Sequence, residues 1–146
     1  MIHPEQFVQS VVDRFKSLQT VVEVGDTQHP ACFELAKCNT TVFFIDTFSD
    51  LRFERVQHLS VVGARVYPIR LHSTMFSRSF SPKSVDLTLI RGCFNLAAVA
   101  AEINTWFALS KEIVLPHNEF TDHLATVSGV PFQDEGDFWW LKTATV

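Results

Sequence analysis

Apolar side chains recur at Phe7, Val8, Val11, Val12, Phe15 and Leu18, with Gln9, Asp13, Arg14 and Lys16 between them. That spacing predicts an amphipathic helix over 5–18, and Pro4 suits its first turn. The period then changes. Residues 20–24 are short, β-branched and closed by Gly25-Asp26, which predicts a buried strand. A short helix over 30–37 and a second strand over 40–45, ending at Asp46, follow. Residues 49–60 predict a helix carrying Leu51, Phe53, Val56 and Leu59, and 64–69 a third strand weakened by Pro68. The serine-rich stretch 72–83 predicts a loop with one turn of helix. A fourth strand over 85–90 closes at Arg91-Gly92, and an alanine-rich helix over 96–109 carries Val99, Ile103, Trp106 and Phe107 on one stripe. Strand 112–115, helix 120–128 and strand 137–142 complete the pattern.

Strand and helix alternate nearly throughout, which predicts an α/β domain with a mostly parallel sheet and helices on both faces. The whole chain, 1–146, reads as one domain, with an N-terminal helix within 1–19 and a sheet core over 20–142. Ligands of such sheets sit at the carboxyl ends of the strands. Candidate chemistry is therefore sought at 23–29, 46–47, 71–73, 91–95 and 116–120.

Composition narrows the class. With 47% hydrophobic and 19% charged residues, the chain is neither disordered nor supercharged. A net charge of -4 argues against a nucleic-acid partner. There is no run of about 20 apolar residues to span a membrane, and residues 1–5 lack a basic start and apolar run. Three cysteines, at 32, 38 and 93, give neither a disulfide framework nor paired metal spacing. A cytoplasmic protein is expected. Fourteen Phe and three Trp against one Tyr suggest that some rings reach the surface, where they favour a homodimer or protein partner.

The motifs carry more. In Val22-Glu23-Val24-Gly25 a glycine closes the first strand, and Asp46 stands about 20 residues on, the spacing at which an acidic residue accepts ribose hydroxyls of a nucleoside-type ligand. The run resembles motif one of class I S-adenosylmethionine-dependent methyltransferases, E-x-G-x-G-x-G. Ser84-Val85-Asp86-Leu87-Thr88-Leu89-Ile90-Arg91-Gly92, with Val99 and Trp106 downstream, resembles the small-molecule O-methyltransferase segment S-V-D-L-x-x-I-D-G. Ile113-Val114-Leu115-Pro116-His117-Asn118 is similar to the following I-x-x-G-H-D, and Gly136-Asp137-Phe138-Trp139-Trp140-Leu141-Lys142 to the closing strand. The resemblance spans 20–142 in order and implies a reduced Rossmann-like sandwich of about six or seven strands. It implies cofactor contacts at Glu23, Gly25, Asp46, Ser73 and Arg91.

The departures bear on chemistry. The second and third motif-one glycines fall on Thr27 and His29, whose side chains crowd a loop that must pass close beneath the cofactor. The family's metal-binding aspartate falls on Arg91, its histidine on Phe94 and a later aspartate on Asn118. Exchanging carboxylates for a guanidinium and an amide removes a hard-cation cage, so no metal is expected.

Other groups offer chemistry of their own. His117 and His72 lie at strand ends and, with Asp46 or Asp122, offer a metal or acid–base site. Their irregular spacing favours solvent-facing loop histidines, with His117 a remnant of the G-H-D turn and the one candidate general base. Cys93 lies near a helix start, where a thiolate is stabilised, but burial is the commoner fate of cysteine. Arg65, Arg70, Arg78, Lys83 and Arg91 read as a solvated surface. Phe138-Trp139-Trp140 reads as a strand with one ring in the core and one outside it.

Two functions remain. One is a degenerate methyltransferase-like domain that binds no cofactor and serves as a binding or interaction module. The other is an active, metal-independent enzyme that transfers the methyl group of S-adenosylmethionine to a small molecule, with Glu23, Gly25 and Asp46 on the cofactor. The first is preferred, because Thr27, His29, Arg91 and Phe94 replace residues the chemistry uses.

Overall fold

A computed structural model describes residues 4–25, 31–45, 65–92 and 95–143. The predicted helix over 49–60, and Asp46 with it, lie outside the described residues. Seven strands form one sheet: β1 (Thr20–Val24), β2 (Thr41–Ile45), β3 (Val66–Ile69), β4 (Leu87–Ile90), β5 (Glu112–Pro116), β6 (Gln133–Asp134) and β7 (Phe138–Lys142). Their order is β3-β2-β1-β4-β5-β7-β6. The first five in that order are parallel; β7 runs antiparallel to β5, and β6 antiparallel to β7. Strand order reverses between β1 and β4. That reversal fixes the crevice where an open α/β sheet presents its ligand site.

The described helices are α1 (Pro4–Phe15), α2 (Cys32–Ala36), α3 (Ser73–Phe76), α4 (Leu96–Trp106) and α5 (Glu119–Val127). They cover both faces. Alternation along β1 sends Val21 and Glu23 toward α1 and α2, and Val22 and Val24 toward the opposite face. Phe7, Val11 and Phe15 of α1 and Leu35 of α2 are buried against Val42, Phe44, Leu87, Leu89 and Val114. On the other face Val99 and Ile103 of α4 pack with Ile90, Ile113, Leu115 and Leu141. All four residues of β4 are buried, as a central parallel strand requires. Each such Val, Leu or Ile contributes about 1.5–3 kcal/mol.

Several boundaries differ from the pattern. Helix α1 stops at Phe15, and α4 stops at Trp106 and not at residue 109. Lys83, held at φ +57°, donates from Nζ to the carbonyls of Phe107 (3.0 Å) and Ser110 (3.1 Å) and to Thr143 Oγ1 (2.6 Å). Its charge satisfies carbonyls just past the end of α4. Lys83 therefore belongs to the structure, and not to the solvated surface on which Arg65, Arg70 and Arg78 lie. The two-residue strand β6 was not anticipated, since Gln133-Asp134 carries no apolar signal.

The rings lie deeper than composition suggested. Every described Phe and Trp is buried or half-buried, and Tyr67, at 52% exposure, is the exposed aromatic among the described residues. Trp140 lies in the α1 core and Trp139 on the opposite face, as strand alternation dictates. No described helix is long and apolar enough to cross a membrane.

Asp86 joins two strands at their starts. Its Oδ2 accepts from the amides of Gln19 and Thr20, both at 3.0 Å, and Oδ1 lies 3.2 Å from Lys111 Nζ. Partial burial pushes this carboxyl up, but the two amides and Lys111 outweigh it and hold it below the usual carboxylate range. Its stabilising contribution is therefore present above the unfolded aspartate value of about 3.9 and lost as pH falls through the folded value. Denaturant titrations of Asp86→Asn should show lower stability at neutral pH, a difference that shrinks on acidification.

Candidate functional site

At the reversal point, Gly25 closes β1 and Arg91-Gly92 closes β4. The Gly25 amide donates to Ile45 O at 3.0 Å, and the Arg91 amide to Val24 O at 2.7 Å, so the sheet hydrogen bonding runs to the very edge of the crevice. Gly25 sits at φ +117°, and a Cβ on it would come within 2.2 Å of the Gly92 amide nitrogen and 2.8 Å of Gly92 Cα. Glycine is required there twice over, by backbone conformation and by the neighbouring chain. What approaches it is the protein's own backbone.

Glu23 is fully buried. Its Oε2 accepts from the Ala31 amide (2.8 Å) and from Arg91 Nη1 (2.8 Å), and its Oε1 from the Cys32 amide (3.0 Å). A carboxylate removed from water needs this set of donors, because an unpaired buried charge is very costly. The Arg91 side chain is 5% exposed, and its guanidinium lies over the Phe7 ring at 4.5 Å. Strand β1, the start of α2, the end of β4 and helix α1 thus meet on one carboxylate. Beside it, Cys32 is buried, and burial together with the charge of Glu23 pushes its thiol well up, so it is no nucleophile. Cys38 is half-buried. Cys93, Thr27, His29 and Phe94 lie outside the described residues.

Ser73 is buried at the start of α3, and its Oγ donates to Glu102 Oε1 of α4 at 2.5 Å. His72 is exposed and caps α3 through Nδ1, which accepts from the Thr74 amide at 3.3 Å. Glu23, Ser73 and Arg91 were expected on a cofactor, yet all three side chains bond within the protein. Arg91 is likewise no part of a solvated basic surface.

His117 departs most from its expectation. It is 16% exposed and not solvent-facing, with Nδ1 2.8 Å from Asp122 Oδ1 and Nε2 2.9 Å from Asp134 Oδ1. The pairing with Asp122 follows from α5, whose first turn holds the aspartate. Asn118 caps that helix by accepting from the Phe120 and Thr121 amides, while Thr121 Oγ1 accepts from the Asn118 amide. The residue at the family's second aspartate position is thus a helix cap. The N-x-x-T spacing could have shown this; nothing in the sequence marked Asp134. Among the described residues, no group of three or more His, Cys, Asp or Glu is arranged to hold a metal ion.

No protein-family model and no curated protein sequence matches the chain. Solved structures do. WbdD, crystallised with a kinase inhibitor, superposes with a TM-score of 0.75 at 10% identity over 97% of this chain and 41% of its own. Magnesium protoporphyrin IX methyltransferase from Synechocystis PCC 6803, with bound S-adenosylmethionine, gives 0.65 at 16% identity over 94% of this chain and 77% of its own. TrmK of M. capricolum, with S-adenosylhomocysteine, gives 0.64 at 12% identity over 91% and 64%. The chain has the class I methyltransferase-like fold. It spans about two-fifths of the length of WbdD.

Removing one partner of the buried pair strands the other. Arg91→Met should lower unfolding free energy by about 3 kcal/mol in a urea titration, and adding Glu23→Gln to it should recover part of the loss. Gly25→Ala should also be destabilised, by about 3 kcal/mol from strain alone.

Proposed function

We propose that this domain keeps the methyltransferase fold as a binding or interaction module and does not transfer methyl groups. The observation that carries this reading is the buried Glu23–Arg91 pair. It engages two of the residues that the motif resemblance would give to a cofactor, and it places a guanidinium where metal-dependent members place a carboxylate. Thr27 and His29, in place of motif-one glycines, support the same reading from the sequence. The partner is another protein or a second copy of the chain, in the cytoplasm, where its cysteines stay reduced. Tyr67, Leu71 and Met75 are exposed apolar side chains on or near β3 and α3 that such a partner would cover.

A second reading has its own support. Two structural neighbours hold S-adenosylmethionine or S-adenosylhomocysteine on this fold, and methyl transfer is largely the positioning of two reactants. It makes Asp46 the ribose contact of an active, metal-independent enzyme.

Calorimetric titration of both molecules into the purified chain separates the two. The module reading expects no heat at millimolar ligand, with Asp46→Ala indistinguishable from the parent. Micromolar binding abolished by Asp46→Ala would overturn it in favour of the enzyme.

A further inference from the structure

One strand along from the Glu23–Arg91 pair, the turn after β5 holds His117 between two carboxylates. Asp122 reaches Nδ1 from α5 at 2.8 Å, Asp134 reaches Nε2 from β6 at 2.9 Å, and Trp139 of β7 packs on the ring at 4.7 Å. The Trp139 indole N–H also donates to Asp122 Oδ1 at 2.8 Å. These contacts impose a protonation rule. A neutral imidazole has one N–H, so it can donate to one carboxylate while its bare nitrogen faces the lone pairs of the other. Asp134 cannot provide the missing proton. The Gly136 amide, and after it the imidazole, hold its carboxyl below the usual range. Both hydrogen bonds therefore need the imidazolium.

We propose that His117 is a proton-operated clamp that fastens the β6 edge of the sheet to α5 and lets β6 go when the ring loses its second proton. The inference goes beyond the module reading and does not depend on it. The two sides of the clamp are unequal. Asp122 sits on a nine-residue helix and keeps the Trp139 N–H in either state. Asp134 sits on a strand of two exposed residues that pairs with β7. The weaker side opens. The neighbouring acids of the hairpin do not share this control. Glu135 lies 3.6 Å from Arg14, and Asp137 accepts from Ser10 and Gln6, so both fasten the turn to α1. Release is thus confined to residues 133–134 and bares the outer edge of β7, a row of unpaired backbone groups that a partner strand can use.

The test is nuclear magnetic resonance on the full chain, following the His117 ring and the amide protection of residues 133–135 across pH, corrected for intrinsic exchange. Gln133, which pairs with Trp140 across the β6–β7 ladder, is the central reporter, and the Glu135 amide, which donates to Phe138 O at 3.0 Å, is the control that should stay protected. Protection of Gln133 should fall by about threefold, in step with loss of the second ring proton. The Trp139 indole signal should persist, showing that the fold is intact. In His117→Gln the fall should vanish. In Asp134→Asn it should vanish too. Level protection in the parent through the ring titration, or the same fall in either variant, would overturn the clamp.

Discussion

A single buried carboxylate organises the end of the sheet where this fold presents ligands. Glu23 has no contact with water, so every lone pair it directs inward needs a donor, and its charge needs a cation. Two backbone amides at the start of α2 and the Arg91 guanidinium meet that demand. The rest follows by attachment. The amides fix where α2 begins relative to β1. Arg91 brings the end of β4 beside Gly25, where the chains pass so closely that no side chain fits. Phe7 then closes over the guanidinium from α1.

The same constraint shapes chemistry. A guanidinium locked against a carboxylate in the interior offers neither charge to a ligand. The charges of this pair are directed at each other, between apolar layers that the described residues form above and below the sheet. Fold and chemistry rest on different residues. The core is held by Val, Leu, Ile and Phe on two faces, and none of those side chains reacts with anything. At the opposite end of the strands, Asp86 and Lys83 bind backbone groups of neighbouring elements. Polar residues with motif-like positions serve the scaffold there as well.

The architecture was legible in the sequence because apolar period and length both vary sharply along the chain. Short, largely apolar runs marked β1, β2 and β4, and helical spacing marked α1 and α4, each within a few residues. Boundaries failed where a distant side chain sets them, as Lys83 does at the end of α4. The site was less legible. Spacing identified Glu23, Gly25 and Arg91 as neighbours at one end of the sheet, and they are neighbours, but spacing cannot tell whether a side chain faces a ligand or another residue. The pairing of Glu23 with Arg91 depends on which face of β1 looks toward α1 and α2. The His117 clamp depends on Asp134, whose strand is too short to leave a pattern.

The central claim is that Arg91 belongs to Glu23 and to no ligand. Its side-chain Nε–H resonance, followed by nuclear magnetic resonance while S-adenosylhomocysteine is added in excess, tests that most directly. The account predicts a slowly exchanging signal that does not move with ligand and is lost from its position in Glu23→Gln. A signal that shifts in proportion to bound S-adenosylhomocysteine, while Glu23→Gln leaves it in place, would contradict the account.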